Sequence, residues 1–138
     1  MLINLLIAWC LMAICVLVHA VGVAEAVRYV RHNPVRSERL GPWTWLFVQL
    51  AGWVILLHLI EIAVWGVVYV WWGALPDLPS ALYFSAVTYT TTGYGDVVLP
   101  SQWRLVGGVE ALTGILMCGW STGFFFATVG RMFEVRTK

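Results

Sequence analysis

Residues 90–96 read "TTTGYGD": three threonines, then two glycines bracketing a tyrosine, set between apolar runs. The stretch carries no acid–base pair, thiol or metal-ligand cluster, so its side chains offer no covalent chemistry. Its backbone does. Glycine admits left-handed φ values, and a strand of alternating backbone conformation aims successive carbonyl oxygens to one side. A dehydrated alkali cation needs such oxygens in place of its water shell.

The surroundings are those of a membrane protein. The chain has 138 residues, 61% of them hydrophobic and 11% charged, with a mean hydropathy of +0.84, far too apolar for a soluble domain. Three runs, Leu2 to about Val23, Trp45 to Trp72 and Leu105 to about Val129, reach the roughly 20 residues of a spanning helix. The first run could be read as a signal peptide, but no basic residue precedes it and Arg28 and Arg31 follow it, which suits an uncleaved anchor. Of the 8 Lys and Arg, Arg28, Arg31, Arg36 and Arg39 lie between the first two runs, Arg131, Arg136 and Lys138 at the C-terminus, and only Arg104 elsewhere. The expected topology is therefore multi-pass in the cell membrane, N-terminus outside and C-terminus cytoplasmic. A net charge of +1 argues for no nucleic-acid partner, and the basic connector meets lipid headgroups of the bilayer. Cys10, Cys15 and Cys118 lack metal-like spacing and read as small buried packing residues.

Pro34, Gly41 and Pro42 break the connector, and Trp43, Trp45, Trp71, Trp72 and Trp103 fall near helix ends, where indoles favour the interface. After the turn at "GALPDLP", residues 79–90 are apolar but too short to span, as expected of a re-entrant helix capped by Ser80 or Asp77. Irregular backbone at membrane depth must then be buried in protein or line water, and the helix's C-terminal dipole favours a cation beside it.

"TTTGYGD", with a short helix before it and a spanning helix after it, resembles the selectivity-filter signature of potassium channels, whose usual form is four TVGYG loops. The resemblance implies ion sites for K+ at the carbonyls of Thr91, Thr92, Gly93 and Tyr94 and the Thr91 hydroxyl, with Gly95 and Asp96 closing the outer mouth. One loop per chain implies a homotetramer. Thr92 stands where the family has valine, and Val87 where several relatives carry an acidic partner for the mouth aspartate; Tyr83 matches an aromatic donor that can brace Asp96. Val98 replaces an aromatic that favours quaternary ammonium block in some relatives.

"GGVEALTGILMCGWSTGFFFATVGR" is similar to the inner helix of bacterial inward rectifiers. That register implies a hinge at Gly114, a pore stripe through Cys118, Thr122 and Phe126, and a hydrophobic gate at Phe126; any of Phe124, Phe125 and Phe126 could equally face lipid. Cys118 and Thr128 replace the residues linked to strong rectification and to lipid control, and the large cytoplasmic domain of true inward rectifiers is not expected, so the resemblance covers residues 43–131. Glu110 is expected behind the filter, accepting from pore-helix hydroxyls such as Thr88 or Thr90. His58 and Glu61, at i and i+3, can form a polar clasp with His19 or sense protons.

The expected fold is thus an all-α membrane protein: an N-terminal helix (1–27), a connector (28–42), a pore domain (43–131) with outer helix 43–72, pore helix 79–90, filter 91–96 and inner helix 103–131, and a tail (132–138). The first helix lacks the repeated arginines of a voltage sensor; it either packs on the pore or binds a partner. The expected function is passive, potassium-selective conduction, not enzymatic and without cofactor, the alternatives being a weakly selective cation channel or a non-conducting regulatory subunit.

Overall fold

The computed structural model describes residues 2–35 and 39–136, and every described element is helical: α1 (Leu2–His32), α2 (Leu40–Trp71), α3 (Leu78–Tyr89), a single 3-10 turn (Ser101–Trp103) and α4 (Arg104–Arg136). Met1, Arg36 and Lys138, on which parts of the sequence reading rest, lie outside the described residues, as does the side chain of Arg136. α1, α2 and α4 are each long and apolar enough to cross a membrane. At 31 to 33 residues they measure about 46–50 Å, more than the ~30 Å hydrocarbon core. α3, with 12 residues, measures about 18 Å and cannot cross.

The ends are set by local chemistry. α1 continues to His32 instead of stopping near residue 27, because nothing before Pro34 breaks a helix. α2 begins at Leu40, ahead of the expected start, since Pro42 falls in its first turn, where an amide hydrogen has no partner to lose. The connector is correspondingly shorter than 28–42. α2 closes in a Schellman motif: Gly73, at φ +66°, gives its N–H to the Val70 carbonyl at 3.0 Å, and Ala74 gives its own to Tyr69 at 2.8 Å. α3 opens on Asp77, whose carboxylate accepts from the Ser80 amide at 2.8 Å and hydroxyl at 3.0 Å, with Pro79 in the first turn. α4 runs past residue 131 to Arg136, so the predicted tail begins as helix.

α1 packs along α2 and α4. Ala8, Leu11 and Cys15 meet Trp65, Tyr69 and Met117 at one end, and Val23 and Ala26 meet Trp43, Leu50 and Phe124 at the other. α3 enters between α2 and α4 beside the first of these clusters through Ala81, Phe84 and Tyr89. Lipid supplies no hydrophobic drive for such association, so close backbone approach and polar contacts carry it. A Cβ on Gly66 would come within 2.9 Å of the Leu82 side chain, and one on Gly114 would strike the Tyr89 carbonyl. Trp53 Nε1 donates to the Gly22 carbonyl at 2.9 Å and Asn4 Nδ2 to that of Gln102 at 2.9 Å, fastening α1 to α2 and to the turn before α4.

Trp45, Trp71 and Trp72 are exposed as the interfacial reading requires, but Trp43 and Trp103 are buried, drawn into the helix contacts. Of the cysteines only Cys15 is buried; Cys10 and Cys118 lie on outward faces.

Candidate functional site

The loop after α3 has an alternating backbone. Thr91, Gly93 and Gly95 take φ values of +59°, +52° and +78°, while Thr92 and Tyr94 between them stay on the negative side. Left-handed φ is cheap for glycine but strained for a β-branched residue such as Thr91, and strain of this kind gathers at functional sites. The amides turn back toward α3: Thr91 N–H donates to the Thr88 carbonyl at 2.9 Å and Gly93 N–H to the Val87 carbonyl at 2.9 Å. These bonds satisfy the orphan carbonyls of the helix end and anchor the loop to α3. Residues 91–96 are all exposed, Tyr94 to 72%.

Thr92 finds its hydroxyl a partner inside the loop. The Thr90 hydroxyl donates to the Ala86 carbonyl at 2.7 Å, which leaves its oxygen to accept from the Thr92 hydroxyl 3.0 Å away. At the outer end Tyr83 Oη donates to Asp96 at 2.7 Å. That bond holds the Asp96 carboxyl below its usual value and raises the Tyr83 phenol.

Glu110, fully buried, lies behind α3 but does not use Thr88 or Thr90 as expected. Tyr69 donates to its Oε2 at 2.7 Å and the Ser85 hydroxyl abuts its Oε1. Thr90 is unavailable because its hydroxyl serves its own helix, whereas Ser85, four residues before Tyr89, lies on the face turned to α2 and α4. Ser85 also lies 2.8 Å from the Ile62 carbonyl. Ser85 Oγ thus stands between two oxygens, the Ile62 carbonyl and Glu110 Oε1, with one hydroxyl proton of its own.

A second polar cluster draws on all four α-helices, α1 to α4. His19 Nδ1 (α1) lies 2.9 Å from Glu61 Oε1 (α2), and Tyr89 Oη, at the end of α3, donates to Glu61 Oε2. His58 Nδ1 (α2) is 3.1 Å from Tyr89 Oη and 3.6 Å from Glu61 Oε2. Ser121 Oγ (α4) lies 3.0 Å from His19 Nε2 and 3.3 Å from His58 Nε2. The structure therefore brings His58, Glu61 and His19 together, and adds Tyr89 and Ser121, which the sequence reading missed. Tyr89 sits four residues before Gly93, and Ser121 is one of several hydroxyls on α4, beside Thr113, Thr122 and Thr128; neither carries a signal of its own.

On α4 Cys118, Thr122 and Phe126 are all exposed, Phe126 to 81%, while Phe124 is buried and Phe125 partly so. Thr122 Oγ1 donates to the Cys118 carbonyl at 2.9 Å. The helix passes unbroken through Gly114.

Spanning helices that flank a short re-entrant helix and an alternating backbone loop define a pore-loop membrane protein. Residues 43–133 match the family model described as "Ion channel", a two-transmembrane potassium-channel type of domain. The chain belongs to that family, with α1 as an additional N-terminal helix. Comparison with curated proteins and with solved structures finds no match.

Proposed function

We propose that this ion channel is potassium-selective and works as a homotetramer, four copies of residues 91–96 surrounding one axis. The observation that carries the reading is the alternation at Thr91, Gly93 and Gly95, with amides of the loop bonded back to α3. Carbonyl oxygens aimed to one side by such an alternating backbone are the ligands a dehydrated potassium ion requires. A single copy leaves this backbone exposed at membrane depth, where irregular chain must line protein or water, and further copies supply both. The C-terminal dipole of α3 favours a cation at the inner end of the row.

In this reading Thr91, Thr92, Gly93, Tyr94 and Gly95 hold the ions, Tyr83 and Asp96 brace the mouth, and Glu110 fixes the pore helix from behind. Gly114, Thr122 and Phe126 belong to the inner helix that gates, with the N-terminus outside and the C-terminus cytoplasmic. The Thr90–Thr92 hydroxyl pair, where the family places an apolar side chain, favours one second reading, a weakly selective cation pore.

The test is flux from liposomes holding the purified protein, with potassium, rubidium, sodium and barium, repeated on Gly93→Ala. Potassium and rubidium flux that sodium does not match, abolished in the variant, supports the proposal. Equal sodium flux moves it to the second reading, and no flux of any ion leaves a non-conducting subunit.

A further inference from the structure

We propose that His19, His58 and Glu61 form a binding site for one divalent transition-metal ion of the zinc class, buried within each chain. One ligand atom from each residue lies within 4.8 Å of the other two. Both Nδ1 atoms face the same carboxylate, at 2.9 and 3.6 Å, and both Nε2 atoms face the same Ser121 hydroxyl, at 3.0 and 3.3 Å. Two imidazoles thus stand side by side, ring centroids 5.2 Å apart, with a carboxylate at one edge and a hydroxyl at the other.

Hydrogen-bond accounting says what belongs between them. The ring His19–Glu61–Tyr89–His58–Ser121 has five contacts. With neutral imidazoles and an ionised Glu61 it holds four protons, one each from His19, His58, Ser121 and Tyr89. It is one cation short. A metal ion on the two Nδ1 atoms and Glu61 removes the shortfall: each Nε2–H then donates to Ser121 Oγ, which has two lone pairs, and Tyr89 donates to Glu61 Oε2. Every remaining contact has its proton, and Ser121 and Tyr89 become the outer groups that orient metal-bound histidine and carboxylate.

Two nitrogens and one carboxylate suit zinc, cobalt or nickel and not calcium or magnesium, which take six or more oxygens. Bonds of about 2.0–2.1 Å place tetrahedral donors roughly 3.4 Å apart, beside the 2.9 and 3.6 Å found between the two Nδ1 atoms and the carboxylate. A water completes four-coordination. Glu61 and His19 are wholly buried, but the His58 side chain is 17% exposed, which makes its edge the entrance.

The experiment uses untagged protein, stripped with a chelator and titrated with cobalt(II). The expected result is the visible absorption of a tetrahedral site, saturating at one ion per chain and bleached by zinc, with zinc also raising the melting temperature. His19→Gln and His58→Gln should each remove the band, Ser121→Ala should weaken binding about 10–100-fold, and His32→Gln, on the exposed end of α1, should leave it unchanged. Absence of the band in stripped native protein overturns the site and leaves a proton to close the ring; persistence in the His19→Gln, His58→Gln double variant overturns it too. The native-protein reading stands even where a variant fails to fold, and none of these readouts depends on ion flux.

Discussion

Gly114 of α4 lies against the backbone of Tyr89, the last residue of α3, so closely that a Cβ at position 114 would strike the Tyr89 carbonyl oxygen. Gly114→Ala must therefore push the pore helix off the inner helix. A loss of about 1–3 kcal/mol is expected from such overpacking, measured as a lower melting temperature in detergent. An alanine variant of native stability but altered open probability would instead make Gly114 a hinge and nothing more.

Tyr83→Phe removes the donor that holds Asp96 below its ordinary pKa. A depressed carboxyl contributes stability above its unfolded value and loses it as pH falls through the folded one. Flux in the native protein should consequently persist to a lower pH than in the variant. Superimposable acid limbs for the two proteins would remove Asp96 as a brace.

Glu110→Gln keeps every contact around Ser85, because an amide donates to the serine and still accepts from Tyr69. It should fold and assemble normally. Glu110→Ala strands the Tyr69 hydroxyl, while Ser85 keeps the Ile62 carbonyl, at a cost of about 1–3 kcal/mol. Thermal unfolding of the two variants side by side checks the ordering, and equal stability would show that the contact is dispensable.

Phe126, 81% exposed on the face shared with Cys118 and Thr122, is expected to close the pore by dewetting in the assembled channel. Phe126→Ala should raise basal potassium flux several-fold at unchanged ion selectivity. Unaltered flux in liposomes would return this side chain to the lipid.

Thr92→Val restores the family's apolar residue and deletes the hydroxyl pair with Thr90. Potassium-over-sodium preference should stay equal or rise, measured by reversal potentials in paired ionic solutions. A fall would mean that the hydroxyl itself contributes to ion choice.

Much of this was legible in the sequence because the membrane narrows the options. Run length separated the spanning helices from α3, and glycine at 93 and 95 marked two of the three left-handed residues. Thr91, the third, was hidden, since nothing in a threonine announces positive φ; its neighbours and the bonds to α3 impose it. Helix ends were misjudged wherever polarity was taken for termination: Arg28 and Arg31 are charged yet excellent helix formers, so α1 ran on. Glu110 was placed behind the filter, but with the wrong hydroxyls, because register around a 12-residue helix decides which side chain faces inward. Pairing of His58 with Glu61 followed from i, i+3 spacing. Their tie to His19 and Ser121 is tertiary, and spacing along one helix does not encode it.

His19 also has a history. α1 emerges from the ribosome before α2 exists, so an imidazole must enter the bilayer ahead of the carboxylate that will meet it, 42 residues later in the chain. Until then it is an unpartnered polar group midway along an apolar helix, and its pull toward Glu61 gives the nascent chain a reason to fold α1 onto α2. Maturation of this channel should accordingly run in a fixed order: α1 is captured by α2, and α4 then seals the pair through Ser121. Quality control of the chain is in that case written into a helix that lies outside the family-matched residues 43–133.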